Sequence, residues 1–255
     1  MDCLDYKKDG QIGYITIQND DEFNALSSKA IAEFDNLLQD IGAKREVKVV
    51  IVQGNKKVLS PGHNLKEIED GSLEDNKMLF QSCGGFMKTI REIPQIVITK
   101  VHGAAVAAGC QLVAISDMAV VSENARFSTP GINSGFFCST PAVFLSRNLG
   151  RKKAAELLFT GNFMSAEEAL NYGLVNKVVP LDDLDEETDK LAQDVAKQSL
   201  NIIELGKRSF YQQLNMEDFQ ALEFATEVIS NNSQHPDARE GIRCFFEKRK
   251  PEWKD

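Results

Sequence analysis

Several common classes are excluded by what this chain does not contain. No run approaches the ~18 consecutive apolar residues of a membrane span, so no membrane span is expected. The first residues, Met1-Asp-Cys-Leu-Asp-Tyr-Lys-Lys, show no basic start followed by an apolar core. No secretory signal peptide is therefore expected. The five cysteines, at positions 3, 83, 110, 138 and 244, are odd in number and free of C-x-x-C spacing. That pattern fits reduced thiols and leads to the expectation of a cytoplasmic protein. There are three histidines, without metal-ligand spacing, so no metal is expected. A net charge of −9 argues against nucleic acid and anionic membranes as partners. It also requires a local basic patch wherever a polyanionic ligand binds. P-loop, G-x-S-x-G and H-E-x-x-H motifs are absent, as are internal repeats and low-complexity tracts. Gly103 and Gly109 are too far apart for a dinucleotide-binding G-x-G-x-x-G.

What is present is a chain of 255 residues, 42% of them hydrophobic, enough to bury a sizeable core. Ile12–Gln18 and Val47–Gln53 have strand composition. Between them Ser27 or Ser28 can cap a helix whose Ile31, Phe34, Leu37, Leu38 and Ile41 share one face, with Gly42 as its stop. Strand, helix, strand at this spacing is an α/β unit. A helix is expected from about Asp75 to Glu92, closed by Pro94, with residues 70–77 in a loop. Strands follow at 95–101 and 118–121, and a further one ends near Pro130. Residues 132–140 read as a loop leading into a helix from about Pro141. The remainder is helical apart from a short strand at 174–179. The first ~150 residues thus alternate strand and helix, and the last ~75 are helices alone.

Two small-residue turns stand out. In each a strand ends and a helix begins: Pro61-Gly-His63, and the Gly103–Gly109 turn that closes with Ala107-Ala-Gly109. Glycine and alanine let a ligand approach the backbone closely. A helix start leaves N–H groups unpaired and carries a partial positive charge. Two such turns can supply two convergent donors for an oxyanion. Ser60, Ser139 and Cys138 are possible nucleophiles, although each also suits a small loop position.

Several further segments belong to the same pattern: Asn24-Ala-Leu26, Val50-Ile-Val-Gln-Gly54, Ser60-Pro-Gly-His-Asn-Leu-Lys-Glu67 and Val101 through Leu112. They continue with Asp117, Phe127-Ser-Thr-Pro130, Phe159-Thr-Gly161, Ser165-Ala-Glu-Glu-Ala169, Gly173-Leu-Val175 and Phe246-Glu-Lys-Arg-Lys-Pro251. In order and spacing the chain resembles the crotonase superfamily, the enoyl-CoA hydratase/isomerase family, over nearly its whole length.

The resemblance implies an α/β crotonase (ClpP-like) spiral of ββα units at residues 1–180. A helical region at 181–255 would assemble homotrimers or dimers of trimers. It implies an acyl-CoA substrate, with coenzyme A entering as part of the thioester and no covalently bound cofactor. The oxyanion donors would be the N–H groups of His63 and Ala108, with Gly62 and Gly109 shaping the turns. Lys66, Lys248 and Lys250, with Arg249, would meet the coenzyme A phosphates. Asp21 and Glu22 stand where the family often has a basic residue before Asn-Ala-Leu.

The family's two hydratase glutamates are replaced here by Gln111 and Gly131, and no carboxylate appears near Ser139. An amide accepts no proton as a carboxylate does, and general acid–base catalysis contributes about 10²–10⁴-fold. Weak or atypical hydratase activity is therefore expected. The alternatives are a decarboxylase-type lyase using His63 with Gln111, and an acyl-CoA binder without catalysis.

Overall fold

The computed structural model describes residues 2–19, 23–55 and 57–254. Two sheets form the framework. The larger contains β1 (Leu4–Asp9), β2 (Ile12–Ile17), β3 (Val49–Gln53), β5 (Ile96–Val101), β7 (Met118–Ser122) and β10 (Lys177–Val179), in that spatial order. All neighbours are parallel except the β1–β2 hairpin. The residues of β3 are almost uniformly apolar because both of its faces are buried. The smaller sheet contains β4 (Val58–Ser60), β6 (Ala104–Val106), β8 (Arg126–Ser128) and β9 (Met164–Ser165).

The chain passes from a strand of the large sheet to one of the small sheet and then into a helix, three times. β3 and β4 lead to α2 (Leu65–Asp70) and α3 (Leu73–Glu92). β5 and β6 lead to α4 (Ala108–Ile115). β7 and β8 lead through a short 3₁₀ turn, Pro130–Ser134, to α5 (Ser139–Asn148). This is the spiral of ββα units that the motif order implied, and it lines up the β4–α2 and β6–α4 junctions side by side.

One face of the large sheet packs on α1 (Ser28–Lys44), α3 and α4, with Phe34, Phe86, Leu38 and Ile90 fully buried there. The other is covered by α8 (Leu184–Ala196), whose Leu184, Ala192 and Ala196 meet Ile12, Val49, Ile51, Ile98 and Val120. The chain also forms α6 (Arg151–Thr160), α7 (Ala166–Asn171), α9 (Leu200–Gln213), α10 (Asp218–Asn232) and α11 (Pro236–Glu247).

α9 is tied to the core by an ion pair between Lys207 and Asp117 at 2.7 Å, both nearly inaccessible to solvent. Lys207 also donates to the carbonyls of Ile90 and Gln95, both at 2.7 Å. The Tyr211 hydroxyl donates to Asp117 at 2.7 Å. α10, by contrast, has no buried residue, and Phe219, Leu222 and Ile229 are exposed on it, as are Phe245 and Phe246 on α11.

Several boundaries differ from those expected, each for a local reason. Helix α1 runs through Gly42 to Lys44. That glycine is used for close packing, since a β-carbon there would stand 2.9 Å from Ile93 Cγ2. Arg45 ends the helix in the left-handed conformation. Helix α3 begins at Leu73 because Ser72 and Asp75 form a capping box inside the expected loop. Two helices are expected at 184–200 and 202–214, and the break between them falls slightly earlier, because Ser199 caps α9 by accepting from the Ile202 N–H. The polar, edge-lying β1 has no buried stripe beyond Leu4 to betray it. The Gly103–Gly109 turn is interrupted by β6, so the turn proper shrinks to Ala107. Among the described residues no helix is long and apolar enough to cross a membrane.

Candidate active site

At the first turn, β4 ends at Ser60, and Gly62 adopts φ +100°. Its N–H donates to Ser60 Oγ at 3.1 Å, and its carbonyl accepts from the Leu26 N–H at 2.8 Å. Leu26 forms an isolated parallel bridge with His63, which gives Asn24-Ala-Leu26 its role. Asn24 sits fully buried and donates to the Val58 carbonyl at 3.2 Å, holding the start of β4. Asn64 then caps α2 by accepting from the Lys66 and Glu67 N–H groups. The His63 N–H has no acceptor among the described residues.

At the second turn, Ala107 is held at φ 49°, ψ −115°, a region that a residue with a β-carbon enters only under constraint. Its N–H is anchored on the Ser128 carbonyl at 2.8 Å. Helix α4 starts at Ala108 with no side chain capping it. The first N–H groups of a helix have no intrahelical acceptor, so Ala108 presents a donor at the positive end of a wholly buried helix.

The two turns touch. A β-carbon on Gly62 would lie 2.8 Å from Ala107 Cβ and 3.1 Å from the Ala108 nitrogen. One on Gly109 would lie 2.2 Å from the Ser60 carbonyl oxygen. Both glycines are therefore dictated by contact, and the two open N–H groups edge one pocket of about 780 Å³.

That pocket is lined by His63, Ala108, Gly131, Ser139 and Lys66, five of the residues singled out in the sequence. Ala25, Phe80, Phe136, Phe137 and Cys138 complete much of the wall. No carboxylate lines it among the described residues. His63 packs edge-on against Phe80, ring centroids 5.2 Å apart. Burial pushes its pKa down to about 4, against a smaller opposing effect of the Glu67 charge, so the imidazole is neutral at pH 7. Its Nε2 is buried and unpartnered, as is Oε1 of Gln111. Gln111 is 2% exposed and lies within α4, behind the wall.

The position of Gly131 is not an open gap. A β-carbon there would meet the Phe136 carbonyl oxygen at 2.1 Å and Cys138 Sγ at 3.0 Å. The loop closes on itself at this point, Phe136 N–H to Gly131 carbonyl at 2.9 Å. Among the possible nucleophiles, Ser60 is fully buried and accepts from Gly62. Ser139 opens α5 and donates to the Phe137 carbonyl at 3.3 Å. Burial pushes the Cys138 thiol up, opposed by a weaker bond from the Gly131 N–H.

Lys248 and Lys250 lie at the end of α11 and are not on the pocket wall. Arg249 between them is engaged by Glu240 and Glu247, both at 2.6 Å. Asp21 and Glu22 lie outside the described residues. Phe80, Phe136 and Phe137 are among the wall residues that the sequence did not single out. Apolar residues in a helix and a loop carry no chemical signature until folding brings them together.

A two-sheet ββα spiral whose glycine-bearing turns meet at one pocket is the architecture of the crotonase fold. The chain belongs to the enoyl-CoA hydratase/isomerase family, whose model matches residues 7–255. It is 42% identical to the mouse enoyl-CoA hydratase domain-containing protein 3, over 97% of this chain and 82% of that protein. It superimposes on the crystal structure of the human protein of that name with a TM-score of 0.93, at 41% identity, covering 98% of this chain and 100% of the other. An enoyl-CoA hydratase structure from Mycobacterium smegmatis matches with a TM-score of 0.96 and 39% identity, over 99% of each chain.

One expectation is corrected here. Five vertebrate relatives bearing the domain-containing protein 3 name are all designated mitochondrial, so the cytoplasmic expectation does not stand. Free cysteines argue against an oxidising compartment but do not choose among reducing ones.

Proposed function

We propose that the chain binds acyl-CoA thioesters, with the thioester oxygen held between the N–H groups of His63 and Ala108, and that it stabilises an enolate there. The observation that carries this reading is the contact of the two turns, in which Gly62 lies against the Ala108 nitrogen. Each well-placed donor is typically worth about 10²–10³ in rate. Lys66, exposed at the start of α2 on the pocket wall, suits a coenzyme A phosphate. Lys248 and Lys250, off this pocket's wall, suit a phosphate of coenzyme A bound to a neighbouring copy. The exposed apolar side chains of α10 and α11 support assembly through the C-terminal helices, as a trimer or dimer of trimers.

Hydration by the two-glutamate route is not the native reaction. Among the described residues the pocket wall carries no carboxylate, Gln111 is an amide, and the Phe136 carbonyl stands where a side chain at 131 would begin. Among the lining groups His63 is the remaining base, weak because burial holds it neutral. The test is the loss of enoyl-thioester absorbance when purified protein meets crotonyl-CoA, beside calorimetric binding of the same ligand. Binding without rapid hydration is expected. Rapid hydration would refute the argument from the missing carboxylates, and no binding would refute the thioester site itself.

A further inference from the structure

The acyl-CoA reading above leaves the acyl group open, and the pocket wall bears on it; the inference rests on that reading. We propose that the site selects uncharged acyl groups of six or more carbons and discriminates against acyl groups that end in a carboxylate.

The apolar wall begins at the donor itself. Phe80, reaching in from α3, stands edge-on to the His63 ring, the interplanar angle being 88°. Phe136 follows, its centroid 6.0 Å from that of Phe80. On the same loop Phe137 packs on Phe159 at 5.2 Å. Phe136 and Phe137 remain 43% and 36% exposed, although both line a concave pocket. Aromatic surface left wet in a concavity is area that a ligand can cover. With the thioester oxygen fixed at His63 and Ala108, the acyl chain is the part of the substrate that starts beside Phe80. Each methylene that it buries should tighten binding by about fourfold.

The charge on the wall points the same way. Lys66 is the one lysine or arginine lining the pocket among the described residues, and it is exposed at the first turn of α2. The imidazole of His63 is held neutral at pH 7 by burial, against a smaller opposing effect of the Glu67 carboxylate. The remaining polar side chains, on Asn64, Asn133, Ser134, Ser139 and Thr140, are uncharged. A carboxylate carried in along the wall of Phe80 and Phe136 would lose water, while the one cation lining the pocket among the described residues, Lys66, is exposed and is assigned above to a coenzyme A phosphate. Burial of an unpaired charge is strongly unfavourable. An alkyl end of the same length carries no such penalty.

The experiment is a set of calorimetric dissociation constants on the full chain for free coenzyme A, acetyl-, hexanoyl-, octanoyl- and adipyl-CoA. Octanoyl-CoA is expected to bind at least tenfold more tightly than acetyl-CoA. Hexanoyl-CoA is expected to bind at least tenfold more tightly than adipyl-CoA, which has the same six-carbon chain with a terminal carboxylate. In Phe80→Ala and Phe136→Ala the octanoyl-to-acetyl ratio should fall at least threefold. Equal affinity for acetyl- and octanoyl-CoA, or for hexanoyl- and adipyl-CoA, would overturn the inference while leaving the thioester site standing. No binding of any of the five would overturn the acyl-CoA reading and this inference with it. The wild-type series alone decides the matter should either phenylalanine variant fail to fold.

Discussion

A β-carbon added to Gly109 would come within 2.2 Å of the Ser60 carbonyl oxygen, so the second turn rests on the backbone of the first. Neither atom can give way cheaply, since Ser60 is fully buried in the small sheet and Gly109 is in the first turn of a buried helix. Gly109→Ala should destabilise the protein by about 3 kcal/mol or more and abolish acyl-CoA binding. Gly62→Ala should behave similarly, because φ +100° is strained for any residue with a β-carbon. Urea denaturation midpoints and calorimetry on the two variants check this. Wild-type stability and affinity in Gly109→Ala would mean that the turns are free to separate.

Restoring the two family carboxylates is expected to fail in an informative way. Gln111→Glu fits the space of the amide, although burial will favour its protonated form at the expense of the carboxylate. Gly131→Glu does not fit, because its β-carbon meets the Phe136 carbonyl at 2.1 Å. The double variant should therefore gain little crotonyl-CoA hydration and should lose about 1–3 kcal/mol of stability. A shift in the loop at 131–138 is required before a second carboxylate can serve. Hydration raised by two or more orders of magnitude in the stable double variant would show that the loop opens readily.

The outline of this site was legible in the sequence because its determinants are local. Pro61-Gly-His63 and Ala107-Ala-Gly109 are small-residue turns at strand-to-helix junctions, and such turns expose N–H groups wherever they occur. The alternating strands and helices follow from periodicity in the same way. The aromatic wall was not legible, since Phe80 lies on α3 and Phe136 on a loop more than fifty residues later. Their meeting is a product of the spiral. The reason for Gly131 was equally hidden. As a residue it reads as a missing carboxylate, and only the loop's return to Phe136 shows that the space itself is occupied. Gly42 misled for a related reason, since a glycine demanded by Ile93 looks the same in sequence as one that ends a helix.

The buried pair Lys207–Asp117 gives a third expectation. Lys207 Nζ has three acceptors, Asp117 and the carbonyls of Ile90 and Gln95, which satisfy its three N–H groups in the ammonium form. Asp117 in turn accepts from the Val97 N–H at 2.7 Å and from Tyr211. Lys207→Met should cost about 3–5 kcal/mol, because it strands a buried carboxylate. Lys207→Met with Asp117→Asn should be less harmful than the sum of the two single changes, as coupled partners are. Chemical denaturation of the four proteins closes the cycle. Strict additivity would mean that the pair contributes nothing as a pair.

His63 should make the protein acid-sensitive at moderate pH. Burial holds its folded pKa at about 4, whereas an unfolded histidine titrates near 6.5. Between those values the unfolded chain binds a proton that the folded chain refuses, so stability rises with pH across this window and is lost as pH falls from about 6.5 to about 4. The loss from this one group is up to about 3 kcal/mol at the lower end. In His63→Asn the contribution disappears, so wild type minus variant stability should shrink as pH drops from 7 to 4.5. Urea midpoints at pH 7, 5.5 and 4.5 measure the difference, and an identical pH slope in the two proteins would mean that His63 already accepts a proton in the folded state. The donor assigned to this position is the backbone N–H, which asparagine retains. Loss of the pH slope with retention of acyl-CoA binding at pH 7 would therefore separate the residue's buried ring from its part in holding the thioester.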